Sequence, residues 1–184
     1  MMRGTFLTRL RKLARDKRGV SAVEFALLSP LMIGMYLGGV EISDGIGIDR
    51  KVTLTAGAMA NLAAQVATIS SSDMTDILKA STAIMSPYPT TPLKIVISCI
   101  NIDSTKAAKV KWSETSGGTK RSTGSSVTLP SALAVANTQL LLSEVSYGYK
   151  PIVGYVITGT LTLSETMYMS PRISAPTYGT TACS

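Results

Sequence analysis

A single uninterrupted apolar stretch, residues 20–40, constrains this chain more than any other feature. It follows a basic run that ends at Gly19, and the only charge within it is Glu24. As a helix, a stretch of this length spans roughly 30 Å at ~1.5 Å per residue, which matches the hydrocarbon core of a bilayer. The stretch therefore predicts one transmembrane helix.

The basic residues of the chain are concentrated before this stretch. Residues 1–19 hold seven of the 18 lysines and arginines but only one of the 11 acidic residues. By the positive-inside rule, this leader predicts a cytoplasmic N-terminus and a C-terminal part outside the cytoplasm. Because the rest of the chain is almost neutral, the net charge of +7 does not indicate a phosphate-binding surface on the folded part. We therefore expect no nucleic-acid partner.

Glu24 is a candidate functional residue because a carboxylate inside a bilayer is costly. A buried carboxylate needs a counter-charge, and an α-amino group at the start of a neighbouring helix could supply it. The alternative is a glutamate close enough to the headgroups to stay hydrated or to be protonated.

Small residues recur along the same stretch. Gly34 and Gly38 form a small-xxx-small pair, a spacing that lets two membrane helices approach closely. The pair predicts that this helix packs against copies or relatives of itself.

The N-terminal region allows three other interpretations. Residues 3–18 could form an amphipathic helix on an anionic membrane surface, or an arginine-rich mitochondrial presequence. Neither explains the glycine boundary and Glu24. The apolar stretch could also be the core of a secretory signal peptide, but residues 38–41, Gly-Gly-Val-Glu, fit a cleavage site poorly. We therefore expect the stretch to be retained.

Beyond residue 40 the sequence predicts a helix extension and then an extracytoplasmic domain. Helix formers continue over residues 41–69, with the long helix ending near Thr68. Ser70 begins a polar Ser-Ser-Ser-Asp run that supplies an N-cap for a second, short amphipathic helix. The prolines from Pro87 onwards end that helix. Residues 70–184 form the domain.

After these prolines the apolar period changes to two, which predicts strands. Four of them follow, over residues 93–99, 108–113, 139–149 and 159–169. In the second, Ala108, Val110 and Trp112 are expected to share one apolar face. Residues 114–126 read as a polar loop and 130–138 as a small-residue turn or short helix. The sum is an α+β fold in which the long helix packs on one face of a small antiparallel sheet.

The polar residues do not predict an enzyme. The sequence has no histidine, so a Ser-His-acid triad is excluded, and no close-spaced Cys/His cluster indicates zinc. Glu144 and Glu165 are better explained as exposed strand carboxylates than as a catalytic pair. Cys99 and Cys183 predict one disulfide if the domain is translocated, with two free buried thiols as the alternative. We expect no metal, no cofactor and no small-molecule substrate.

Three sequence blocks carry a resemblance to a known family. The first is RDKRGVSAVEFALLSPLMIGMYLGGVEISDG followed by an alanine-rich helix; the others are SEVSYGYKPIVG and LTLSETMYMSPR near the C-terminus. Together they cover about a third of the chain. They resemble the TadE/TadG-type pseudopilins of tight-adherence (Tad, Flp) pilus systems, a branch of the type IV pilus machinery.

The resemblance implies a pilin-like fold and a minor pilin that acts in pilus assembly or initiation. A prepilin peptidase would cut after Gly19, which makes Val20 the first residue of the mature chain and Glu24 the fifth. Glu24 would be the assembly residue. The implied partners are the inner membrane, the peptidase, other pilins and the assembly machinery. The implied location is a single pass through a bacterial inner membrane, with the domain in the periplasm, outside the cell or in the pilus.

Two further classes of protein remain open from the sequence. One is a membrane-anchored extracytoplasmic assembly factor that does not enter the fibre. The other is an unrelated single-span protein with a small ligand-binding domain. The spacing of Gly19 and Glu24 favours the minor pilin over the second of these, and nothing in the sequence separates it from the first.

Overall fold

The computed structural model describes residues 19–151, 154 and 158–184. The two helices are α1 (Val20–Ala64) and α2 (Ser71–Met85). The strands are β1 (Thr68–Ile69), β2 (Leu93–Ile102), β3 (Ala108–Ser116), β4 (Thr138–Tyr149), β5 (Leu161–Met169) and β6 (Thr177–Tyr178). The predicted α+β class, with a long apolar N-terminal helix, a second helix and a small antiparallel sheet, is confirmed. Residues 130–137 form turns and irregular chain with no helix, and Thr138 already belongs to β4.

The long helix α1 has two halves with different surroundings. Up to residue 40 almost every position is exposed, whereas beyond it one face is buried at every third or fourth residue. The buried positions from residue 41 onwards are Glu41, Gly45, Ile48, Val52, Thr55, Ala56, Met59, Ala60, Ala63 and Ala64. Most of these side chains are small, so the helix axis can lie close to the sheet beneath it.

The four-stranded sheet has the order β3-β2-β4-β5, and every neighbouring pair is antiparallel. Helix α1 packs against β4, β5 and α2. The main core lies between this helix and the sheet, and Met59, Ile97 and Leu141 are among its fully buried members. A smaller cluster, which includes Ile100 and Leu142, covers part of the opposite sheet face.

A bulge in the β2–β3 pairing divides the apolar residues of β3. The register shifts between Cys99 and Ile100, so Trp112 pairs with Cys99 while Val110 pairs with Ile100. Trp112 joins the main core and Ala108 joins the smaller cluster. The expectation of one shared apolar face for this strand was wrong, because an extra residue in one strand reverses the faces beyond it.

Helix α1 ends at Ala64, four residues before the predicted end, because the chain then joins a second sheet. Strand β1 pairs in parallel with β6, placing Thr68 opposite Thr177 and Ile69 opposite Tyr178. The sequence gave no indication of this pair, since two-residue strands carry no readable alternation.

Helix α2 begins at the predicted cap. The Ser70 hydroxyl accepts a hydrogen bond from the Asp73 backbone N–H, and the Asp73 carboxylate accepts one from the Ser70 backbone N–H. The bond from the Ser70 hydroxyl, followed by that from its backbone N–H, lowers the pKa of Asp73. At the other end, Lys51 of α1 donates to the Ile84 carbonyl at 2.8 Å. This bond places a positive charge at a helix C-terminus, where it is favourable.

The C-terminal tail is fixed to the sheet by a disulfide and an indole hydrogen bond. Cys99 on β2 is bonded to Cys183, with 5.9 Å between their Cα atoms, and both residues are fully buried. The predicted disulfide is therefore confirmed in the structure. The indole N–H of Trp112 donates to the Pro176 carbonyl at 3.1 Å, and its ring lies 5.7 Å from that of Tyr178.

Removing the disulfide should destabilise the whole domain. The bond closes a loop across a sequence separation of 84 residues, and losing such a constraint typically costs about 2–5 kcal/mol. We expect the Cys99→Ser/Cys183→Ser chain to unfold at a clearly lower denaturant concentration in detergent solution. The emission of Trp112, the only tryptophan, reports the transition.

The matched control is the wild-type chain unfolded in the presence of a reductant, which should follow the double variant. An unchanged midpoint for the double variant would contradict a stabilising role for the bond.

Candidate functional site

The first half of α1 presents an exposed apolar surface on all sides. Phe25 is 68% exposed and Leu27 is 74% exposed, and none of the most apolar part of the helix is buried. Among the described residues, α1 is the one helix that is long and apolar enough to cross a membrane. A large exposed apolar surface of this kind marks a site that interacts with a membrane or with another protein.

Gly19 and Val20 lie at the free end of this surface. Both are exposed, and Gly19 precedes the first residue of α1 without a side-chain cap. A Cβ atom built on Gly19 would have no other atom within 4 Å. The fold therefore imposes no steric requirement for glycine here, and the peptide bond between the two residues is accessible.

Glu24 is exposed one helical turn beyond Val20. It makes no hydrogen bond or ion pair with any residue that the structure describes. Leu28 and Leu31 follow at spacings of four and seven and are exposed on the same side of α1. The carboxylate therefore stands within an apolar surface, and none of the described residues supplies it with a counter-charge.

The two glycines of the small-xxx-small pair differ in accessibility. Gly38 is buried within the single chain, and Gly34 is half-buried. By contrast, Gly39 is exposed, and a Cβ atom on it would meet nothing within 4 Å. Packing between copies through Gly34 and Gly38 stays a prediction. Gly38 is less accessible than Gly39 for a contact with a second helix.

Tyr149 holds the end of β4 against α1 where the exposed half of the helix ends. Its hydroxyl donates to the Glu41 carbonyl at 3.1 Å. Its ring lies 3.5 Å from where a Cβ atom on Gly45 would stand, so the small residue lets the ring approach the helix. Burial, followed by the negative charges of Asp44 and Glu41, raises the pKa of Tyr149, which keeps the phenol protonated as a donor.

The tyrosine pair Tyr147 and Tyr149 was predicted to pack rather than to form a stacking surface, and both are buried. Tyr155, the third tyrosine of that prediction, lies outside the described residues. Sequence reasoning did not find the contact between Tyr149 and Glu41. Its only sequence signal is the glycine at position 45, one turn beyond Glu41, which the period of α1 places on the buried face.

The carboxylates of the sheet do not form a catalytic pair. Glu144 lies opposite Thr166, and Glu165 lies opposite Val145, so the two carboxylates point to opposite faces. Glu144 accepts two hydrogen bonds of 2.6 Å from Arg121, and Glu165 accepts one from Thr53 of α1. Within the described ranges, no group of three His, Cys, Asp or Glu residues could hold a metal ion.

No protein-family model, no curated protein and no solved structure matches this chain. The functional interpretation therefore depends on the geometry of α1 and on the sequence motif around Gly19 and Glu24.

The division of α1 predicts that its first half can be removed without unfolding the domain. A fragment of residues 41–184 keeps every buried residue of the helix except Gly38. We expect it to stay monomeric without detergent and to unfold cooperatively, with the Trp112 emission of the full chain, whereas the full chain needs detergent. Size-exclusion chromatography and a denaturant titration test this. Aggregation of the fragment under conditions that keep the full chain folded would contradict it.

Proposed function

We propose that the chain is a minor pilin or pseudopilin of a tight-adherence pilus. In this proposal a prepilin peptidase cuts after Gly19, and Glu24 of the mature chain directs assembly. The observation that carries the proposal is the accessible glycine boundary followed, five residues on, by a carboxylate within an exposed apolar helix. The resemblance of the three sequence blocks to pseudopilins points to the same function.

The physical role of Glu24 follows from the cost of its charge. On insertion scales an acidic side chain at the centre of a membrane helix costs about 2.5–3.5 kcal/mol, and Glu24 lies nearer the N-terminal end of the apolar stretch. Cleavage after Gly19 would create a positive α-amine on Val20, at the same end of the helix. The amine of one subunit and the carboxylate of the next could then neutralise each other in the low dielectric of a helix bundle. Only one axial offset between the two helices allows this pair, so the charge would set the register of assembly.

The orientation of the proposed subunit follows from its charges. The seven basic residues before residue 20 would remain in the cytoplasm, and the sheet would lie outside the inner membrane. The disulfide between Cys99 and Cys183 agrees with such a location, because structural disulfides persist in oxidising compartments.

Replacing Gly19 should block processing without disturbing the fold. We expect a Gly19→Val chain to keep its leader in cells that contain the peptidase, while the wild-type chain begins at Val20. Gly39→Val is the matched control, because a Cβ atom at either glycine meets nothing within 4 Å. Intact mass and N-terminal sequencing measure the outcome.

The Gly39→Val control separates a requirement of the peptidase for glycine at position 19 from a general effect of valine on the helix. Normal cleavage of the Gly19→Val chain, or a wild-type chain that still begins before residue 19, would contradict processing at this site. A wild-type chain cut beyond residue 38 would indicate a signal peptide instead.

Replacing Glu24 should impair assembly and leave processing intact. Breaking a buried charge pair costs about 3–5 kcal/mol, so we expect Glu24→Ala to reduce co-purification with other pilins by at least tenfold. Asp49→Ala is the control, because Asp49 is an exposed carboxylate on the same helix beyond the apolar stretch. Equal co-purification of Glu24→Ala and wild type would contradict the assembly role and favour the anchored factor that does not enter the fibre.

A further inference from the structure

A cavity of about 320 Å³ lies beside α1, one turn beyond its exposed apolar half. Asp44, Tyr88, Tyr147, Tyr149 and Lys150 line it, together with apolar residues. Three aromatic rings, one carboxylate and one ammonium group thus surround a single space. The proposed role of α1 in processing and assembly does not involve this cavity.

The tyrosine rings are held in place by bonds at their far ends. The Tyr147 hydroxyl donates to the Pro89 carbonyl at 3.0 Å, and the Tyr149 hydroxyl donates to the Glu41 carbonyl at 3.1 Å. Because these bonds engage the hydroxyl groups, Tyr147 and Tyr149 line the cavity mainly with their apolar rings. Burial, followed by the neighbouring Tyr88, raises the pKa of Tyr147, which keeps its hydroxyl protonated as the donor to Pro89.

Tyr88 closes the cavity on the side of α1. A Cβ atom on Gly47 would lie 2.8 Å from the Tyr88 hydroxyl, so glycine is what allows the ring to stand this close to the helix. The Tyr88 hydroxyl makes no hydrogen bond with the described part of the chain.

The two charges of the cavity are also available. Asp44 is half-buried and Lys150 is exposed, and neither forms an ion pair or a hydrogen bond with the residues that the structure describes. A ligand that bears both a cation and an anion would complement the pair. The three tyrosines that line the cavity would add to the attraction for a cation that lies over the face of a ring.

The position of the cavity along α1 indicates which ligand it would meet. This step rests on the proposed membrane insertion of residues 20–40. Asp44 lies about 6 Å beyond residue 40, at ~1.5 Å per residue. The headgroup layer occupies roughly 5–8 Å on each side of the hydrocarbon core. Tyrosine side chains are typical of this level. The cavity would therefore open among lipid headgroups.

We infer that this cavity binds the headgroup of a zwitterionic phospholipid such as phosphatidylethanolamine. The ammonium group lies against Asp44 and the tyrosine rings, and the phosphate lies against Lys150. An anionic headgroup such as that of phosphatidylglycerol supplies only the phosphate, and it brings a negative charge close to Asp44 without a cation to compensate. The site therefore prefers the zwitterionic lipid.

Lipid retention by the full-length chain tests this inference. The purified protein is incubated in mild detergent with an equal mixture of phosphatidylethanolamine and phosphatidylglycerol, and bound lipids are counted by native mass spectrometry. We expect one phosphatidylethanolamine per chain, retained about tenfold over the anionic lipid. Asp44→Asn should reduce this preference about tenfold because it removes both the attraction for the ammonium and the repulsion of the anionic lipid.

Two matched controls isolate the cavity from general charge effects. Asp49→Asn on the same helix and Lys106→Gln in an exposed turn lie outside the cavity, and both should retain lipid as the wild type does. Lys150→Gln should lose retention of both lipids about tenfold. Unchanged Trp112 emission in every variant shows that the fold is intact.

Three results would overturn the inference: no preference in the wild type, an unchanged preference in the Asp44→Asn chain, or displacement of the lipid by free phosphoethanolamine at the same concentration. The site and the proposed function can fail separately. A chain that is cut after Gly19 but shows no lipid preference would overturn the site alone. A chain that retains the lipid but is never cut would contradict the proposed function and leave the site intact.

Discussion

The fold depends on one helix, α1, whose second half packs against the sheet and whose first half is exposed. From Glu41 to Ala64, α1 buries a face of mostly small residues against the sheet and α2. Before residue 41 almost every position of the same helix is exposed, and none of its most apolar part is buried. Because the helix is continuous through both halves, the direction of the exposed half fixes the direction of the half that packs on the sheet. A helix of this kind can anchor the domain and orient it at the same time.

The rest of the chain keeps the sheet fixed to the second half of that helix. Tyr149 joins β4 to α1 where the buried half of the helix begins, through a hydrogen bond to the Glu41 carbonyl. At the other end, the pairing of β1 with β6 and the bond between Cys99 and Cys183 hold the C-terminal tail against the core. These connections cross large distances in sequence, so we expect the domain to unfold as one unit, as small single domains usually do.

The sequence predicted the elements with strong periodicity and missed those that depend on tertiary contacts. Helix α1, the Ser70 cap and the four long strands were each readable from local patterns. The bulge beside Cys99 was not, because one extra residue leaves the alternation on each side intact while reversing its faces. The contact of Tyr149 with α1 was also missed, since it joins residues more than a hundred positions apart. For the candidate site, the positions of Gly19 and Glu24 were predictable, and the partial burial of Gly34 was not.

The most direct test of this division of α1 is the accessibility of thiols introduced along it. The two native cysteines are bonded to each other, so an introduced cysteine is the only free thiol. Phe25, Leu31, Ile46 and Leu54 are all exposed in the chain itself. In cells whose outer membrane is permeabilised and whose inner membrane is intact, we expect a membrane-impermeant maleimide to label Ile46→Cys and Leu54→Cys. We expect it not to label Phe25→Cys or Leu31→Cys. Equal labelling at all four positions would contradict a helix divided between membrane and domain.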